Sequence, residues 1–282
     1  MRQSPMSSAF RRAGFAALLG ALVLTTGCGP TRGAVEAAEG ALYRETLLDA
    51  AVDAPTRTPA NVARDRYRHP AATLGFFGVD PGDTVVDIWP GGGWYTEILA
   101  PYLAGRGTYY AAGNERQLRD ARAMAARDPV TYGGIKFAGF PAGPGEARVP
   151  AGSADVVLTF RNVHNWIMPD PPFGEEAFRQ MFAMLKKGGT LGVVEHRLPE
   201  EADAARERKS GYVRVSTVRA LAERAGFRLV ASSAINANPL DTKDHPNGVW
   251  SLPPALRGGA VDREKFLAIG ESDRMTLKFV KP

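Results

Sequence analysis

Three short stretches concentrate the side chains whose types and spacing suit chemistry. They are Arg161-Asn162-Val163-His164-Asn165-Trp166, Glu195-His196-Arg197, and Asp87-Ile88-Trp89-Pro90-Gly91-Gly92-Gly93-Trp94. His164 is the leading candidate for a general base, because an unperturbed imidazole accepts a proton near neutral pH. Asn162 offers both a donor and an acceptor to a ligand, and Trp166 could wall a pocket. Glu195 and His196 stand in reserve as acid–base groups, although Glu195 reads almost equally as an ion-pair partner of Arg197. In the third stretch, a proline and three glycines allow a backbone to approach a ligand at a helix N-terminus, where a Cβ would intrude.

The elements around these stretches define what must hold them. Thr84 to Ile88 is β-branched and apolar except for Asp87, the pattern of a buried parallel strand. Trp94 to Leu103 then takes up helical spacing. Further strands are expected over 107–112, 135–140, 154–160, 190–194, 227–232 and 275–280, with helices over 115–127, 174–185 and 216–225 between them. This alternation predicts an α/β fold with an open, doubly wound, mostly parallel seven-stranded sheet. Ligands bind such sheets outside the carboxyl ends of the strands, where all three stretches fall. Helices over 41–52 and 59–68 are expected to form an N-terminal cap, with residues 31–41 as a tether. The long connection from Asn236 to Ser272 points to function, since such lengths are uncommon inside a compact domain.

The glycine spacing separates ligand classes. A dinucleotide fingerprint wants G-x-G-x-x-G, but Trp94, Tyr95 and Thr96 follow Gly93. The stretch instead resembles motif I of the class I S-adenosylmethionine (SAM) methyltransferases, D-x-G-x-G-x-G. Asp87, Gly91 and Gly93 match, and Trp89 replaces the first glycine. From about residue 55 to 282 the chain is similar to an exported methyltransferase-like family of bacterial proteins. That similarity is carried by Trp89 to Glu97, Asn162 to Trp166, Glu195 to Arg197 and Gly270 to Met275.

The resemblance implies a Rossmann-like class I fold with an antiparallel edge pair, SAM as cofactor, and methyl transfer to an unspecified small molecule. Asp87, Trp89, Gly91, Gly92, Gly93 and Trp94 would form the cofactor site. Asn114 or Glu115, after the second strand, would hold the ribose, although the family's acid at that strand end is absent. Asn162 and His164 would face the reacting methyl group, with Glu195 and His196 behind them. A non-catalytic ligand-binding lipoprotein on the same scaffold is the rival reading.

Composition bounds the rest. Arg2, Arg11 and Arg12 precede an apolar run from Ala13 to Leu24, the pattern of a signal peptide over residues 1–27. Cys28, the only cysteine, stands where a bacterial lipoprotein accepts its lipid, so a periplasmic, membrane-anchored protein is expected. Removing those three arginines takes the formal charge from +5 to +2. With no basic cluster interleaved with aromatics, nucleic acid is not an expected partner. His164, His196 and His245, with Asp241 or Asp244, lack local ligand spacing, so no metal is expected.

Overall fold

The computed structural model describes residues 31–282; the expected signal peptide and Cys28 lie outside the described residues. The chain divides into two compact units, one ending at Tyr43 and the other running from Arg44 to Pro282. The expected tether is helical: a single helix spans Arg32–Val52. Its small residues are mostly alanine, the strongest helix former, and an Arg32–Glu36 pair at 2.9 Å spans one turn. Among the described residues no helix is long and apolar enough to cross a membrane.

The second unit is built on one sheet. Its strands are β1 (Thr84–Ile88), β2 (Thr108–Ala112), β3 (Lys136–Ala138), β4 (Ala154–Phe160), β5 (Leu185–Leu198), β6 (Val213–Arg214), β7 (Arg228–Ser233) and β8 (Arg274–Val280). The order is β3-β2-β1-β4-β5-β8-β7, with the two-residue β6 beside the end of β5. The first five strands run parallel, while β8 is antiparallel to both β5 and β7. This is the open, doubly wound architecture expected, with one short strand added.

Register gathers the polar stretches. Asp87 pairs with Ala111 on one side and Leu158 on the other, and Phe160 pairs with Val194. Trp89 and Arg161, the first residues beyond β1 and β4, therefore lie within one residue of the level of Glu195 in β5. Across the antiparallel pair His196 faces Arg274, which brings the lead-in to β8 beside β5. Apolar side chains fill both faces: Trp166, Phe178 and Met181 belong to one core, and Phe77, Ile98 and Leu99 to the other. Burial of both faces explains why the central strands are almost continuously apolar.

The expected N-terminal cap is present as short helices at Pro59–Val62, Asp65–Arg68 and Pro70–Phe77. Arg57 grips Asp65 with two bonds of 2.7 and 2.8 Å. The backbone N–H of Thr58 donates to the buried Glu97 carboxylate at 3.1 Å, tying this segment to the helix Thr96–Leu103 that follows the glycine turn.

Candidate active site

A cavity of about 330 Å³ opens at the carboxyl ends of β1, β4 and β5, near the lower end of small-molecule site volumes. Asp87, Trp89, Gly91, Gly92 and Trp94 reach it from the glycine turn, and Asn162, His164 and His196 from the two other stretches. Val249, Trp250, Leu252, Pro253 and Pro254 of the long connection also line it.

The three glycines divide their work. Gly91 adopts φ +57° and Gly93 φ +77°, both left-handed. A Cβ on Gly92 would meet nothing within 4 Å, but one on Gly93 would lie 2.6 Å from Met124 Sδ. Gly93 does not line the cavity; its lost side chain seats the helix Glu115–Arg127. Asp87 is buried and accepts a bond from the Tyr109 hydroxyl at 3.0 Å. Burial raises its pKa to about 7. The other carboxylate oxygen has no hydrogen-bond partner among the described residues.

Trp89 takes φ +55°, so a tryptophan occupies the conformation that glycine normally fills. Its indole donates to the Phe140 carbonyl at 3.0 Å and meets Trp166 edge-on at 5.8 Å. A Cβ on Gly113 would come within 3.3 Å of it. The indole thus lines the main cavity and packs against Gly113 and Phe140, two residues of a second crevice that Asn114 and Glu115 also line.

The two expected ribose contacts lie in that second crevice, apart from the other candidates. Asn114 caps the following helix, its side-chain oxygen accepting from the backbone N–H of Arg116 and Gln117 at 3.0 and 3.2 Å. Glu115 is exposed and bonds Arg122 at 3.4 Å. Trp94 reaches the main cavity, but it also donates to the Asn61 carbonyl at 2.9 Å and lies between the Arg57 and Arg68 guanidiniums. Asn162 ties the ends of two strands, its amide donating to Ile88 O at 2.8 Å and Thr159 Oγ1 at 3.2 Å. Trp166 is fully buried in the core and Asn165 is exposed, so neither walls the cavity.

His164 and Glu195 form a buried pair. His164 Nδ1 lies 3.0 Å from Glu195 Oε1, and the His164 backbone N–H donates to Oε2 at 3.2 Å. Glu195 does not pair with Arg197, which binds Asp273 at 3.0 and 2.7 Å. It also accepts from the His196 backbone N–H at 2.7 Å. The His196 side chain instead meets Ser272 Oγ through Nδ1 at 2.5 Å. Burial, the neighbouring His164, and Arg161, Arg274 and Arg68 push its pKa well below the usual imidazole value, so it stays neutral. The Nε2 atoms of both histidines have no protein hydrogen-bond partner among the described residues and are left for the cavity.

His164, Glu195 and His196 also bring one potential metal-ligand atom each within 4.8 Å of one another. Both Glu195 oxygens are committed to hydrogen bonds, and three nearby guanidiniums oppose a cation. His245 lies elsewhere. Its Nε2 meets Asp241 at 2.9 Å, and Asp241 also accepts from the Tyr212 hydroxyl and the Asp273 backbone N–H. That network anchors the long connection.

Sequence reasoning missed Arg64 and Arg68 and marked Tyr95, Trp250 and Ser272 only as parts of longer stretches; all five line the cavity. Arg64 and Arg68 are four apart, but nothing in their spacing announces a convergence on residue 271.

No protein-family model and no curated protein matches the sequence. Solved structures do. A SAM-dependent methyltransferase from Aquifex aeolicus superposes with a TM-score of 0.53 at 13% identity, covering 84% of this chain and 98% of that one. The 4+2 cyclase SpnF gives 0.55 at 18%, covering 91% and 98%. A geranyl diphosphate methyltransferase in complex with SAM gives 0.53 at 12%, covering 83% and 95%. At these identities the likeness establishes the fold: this chain has the Rossmann-like fold of class I methyltransferases.

Proposed function

We propose that this protein is a SAM-dependent methyltransferase acting on a small molecule. One observation carries the reading: the open Gly91–Gly92 turn, the half-free Asp87 carboxylate and the His164–Glu195 pair all meet one cavity. These residues fit the cofactor. Gly92 leaves space for a close backbone approach, and Asp87 presents an unpartnered oxygen suited to an ammonium group. Asp87, Gly91 and Gly92 would hold the methionine end, with Trp89 and Trp94 beside it. Glu115, in the neighbouring crevice, remains the ribose candidate. SAM, when bound, supplies an electrophilic methyl group on a sulfonium.

The protein's part is to orient and deprotonate. Glu195 fixes the His164 ring through Nδ1, which leaves Nε2 as the base toward the cavity. When Nε2 takes the acceptor's proton, the buried carboxylate stabilises the imidazolium. Val249 to Pro254 shield the acceptor from water. Asn162 keeps β1 and β4 aligned, and positioning of this kind contributes much of the rate in an in-line displacement.

The rival reading, ligand binding without methyl transfer, draws on Asn114, whose oxygen is consumed by its helix cap. The solved likeness to a cyclase adds that this fold serves more than one purpose. Export and anchoring through Cys28 complete the proposal, on the strength of the basic and apolar N-terminal pattern. Incubation with SAM and a panel of small acceptors, read as S-adenosylhomocysteine release, tests the activity. Turnover with one acceptor class that collapses in His164→Asn supports it; no turnover beyond spontaneous hydrolysis opposes it.

A further inference from the structure

Four arginines converge on one carboxylate at the edge of the cavity. Glu271 accepts from Arg64 Nε at 2.6 Å, from Arg68 Nε at 3.0 Å and from Arg274 Nη1 at 3.0 Å. The fourth, Arg161, is the first residue beyond β4 and lines the cavity. It holds φ +62°, a conformation that side-chain-bearing residues rarely adopt. Its guanidinium makes no hydrogen bond or ion pair among the described residues. It nevertheless lies within electrostatic reach of Glu271, Arg274, Arg64 and Glu195.

Charge and hydrogen bonding in this cluster are both unbalanced. Although burial pushes the Glu271 pKa upward, Arg68, Arg274, Arg161 and Arg64 together draw it down to about 2. One carboxylate therefore stands among four guanidiniums, and Glu195, the other acid in reach of Arg161, is committed to His164. Buried charge without a partner is costly. Three donors are also buried without a partner: Arg64 Nη2, Arg68 Nη2 and Arg274 Nε. Arg68 has a side chain only 3% exposed, yet it lines the cavity. The Tyr95 hydroxyl, in the same cavity and also near these arginines, has no hydrogen-bond partner among the described residues.

We infer that the cavity binds an organic oxyanion, a carboxylate or phosphate, held by Arg161 and Arg68 with its apolar body against Trp250 and Leu252. A planar guanidinium fork matches such groups with paired bonds, which an amide or hydroxyl would not satisfy. As a reading of the methyl acceptor this inference rests on the proposed activity, but the oxyanion site itself does not. The oxyanion has two sources: an acidic acceptor, or the carboxylate of SAM.

The test is ligand titration of the purified protein with inorganic phosphate, benzoate and neutral benzamide, on wild type, Arg161→Gln and Arg161→Lys. The Arg161 guanidinium makes no hydrogen bond or ion pair among the described residues, and both variants keep the backbone bond of residue 161 to Val194, so both should melt like the wild type. Benzoate or phosphate should bind, benzamide should bind at least tenfold more weakly, and Arg161→Gln should lose at least tenfold while Arg161→Lys keeps part. Absence of binding by both anions, equal binding of benzamide, or an unchanged Arg161→Gln variant would overturn the inference.

Parallel titrations with SAM and 5′-methylthioadenosine, which lacks the carboxylate, locate the source. SAM affinity unchanged in Arg161→Gln assigns the oxyanion to a separate molecule. A selective loss of SAM with methylthioadenosine unaffected assigns it to the cofactor. Anion binding without SAM binding would leave the oxyanion site standing and remove the methyltransferase reading.

Discussion

His164 Nδ1 and Glu195 Oε1 lie 3.0 Å apart, though 31 residues separate them, and both are buried. The contact exists because Arg161 N bonds Val194 O at 2.7 Å, holding the end of β4 level with the end of β5. Glu195 is thereby a positioning residue, acting through the imidazole. Replacing it with glutamine should lower kcat roughly 10- to 100-fold at a nearly unchanged KM for SAM, less than the roughly 10²- to 10⁴-fold that a general acid–base group itself supplies. A shifted acidic limb in the kcat–pH profile would mark the role as electrostatic, and a fall in Tm with kcat intact would make it structural.

Asp87 couples function to stability. Burial raises its folded pKa to about 7, above an unfolded value of about 4. Between those values the unfolded chain releases a proton that the folded chain keeps. Its contribution is therefore most favourable below about pH 4, falls through the window, and levels off above pH 7. Asp87→Asn should remove up to about 4 kcal/mol of that cost at pH 8. Melting curves at pH 4, 5 and 8 should show the variant gaining little on wild type at pH 4, some at pH 5 and most at pH 8. The same substitution should weaken SAM binding, and wild-type affinity should climb between pH 5.5 and 7.5 as the carboxylate ionises.

Gly92 and Gly93 should separate ligand from fold. Gly93→Ala places a Cβ against Met124 Sδ at a positive φ, and should cost about 1–3 kcal/mol of stability. Gly92→Ala meets open space and should leave stability within about 0.5 kcal/mol of wild type. Its effect should appear in SAM affinity instead. Equal Tm losses in the two variants would contradict this division.

Asp241 holds the long connection together by accepting from Tyr212, His245, Lys243 and Asp273. Asp241→Ala leaves these buried donors without an acceptor and should cost about 3–5 kcal/mol. Hydrogen exchange over residues 236–272 should accelerate before the sheet does. Uniform exchange across the protein would indicate no separate lid.

The sheet was legible because its strands are buried on both faces and written as apolar, β-branched runs; even Asp87 within β1 did not obscure the pattern. The position of His164 was legible because strand ends in such sheets face the ligand crevice. Its partner was not, since Glu195 is left to His164 only because Asp273, arriving from the lead-in to β8, takes Arg197. The arginine cluster was illegible for the same reason: Arg64 and Glu271 lie 207 residues apart. Gly93 sits in a ligand motif yet serves packing, and only the position of Met124 distinguishes the two. The presumed tether failed on composition, as alanine is small but strongly helical.

The central claim is that SAM binds over Gly91 and Gly92 beside Asp87. Isothermal titration of SAM and S-adenosylhomocysteine into wild type and Gly92→Val, with Gly93 left intact to preserve the helix, tests it most directly. Micromolar binding by wild type that is lost in a variant of unchanged Tm is the predicted result. Folded wild-type protein that takes up neither ligand at millimolar concentration, or a Gly92→Val variant that binds as well as wild type, would contradict it.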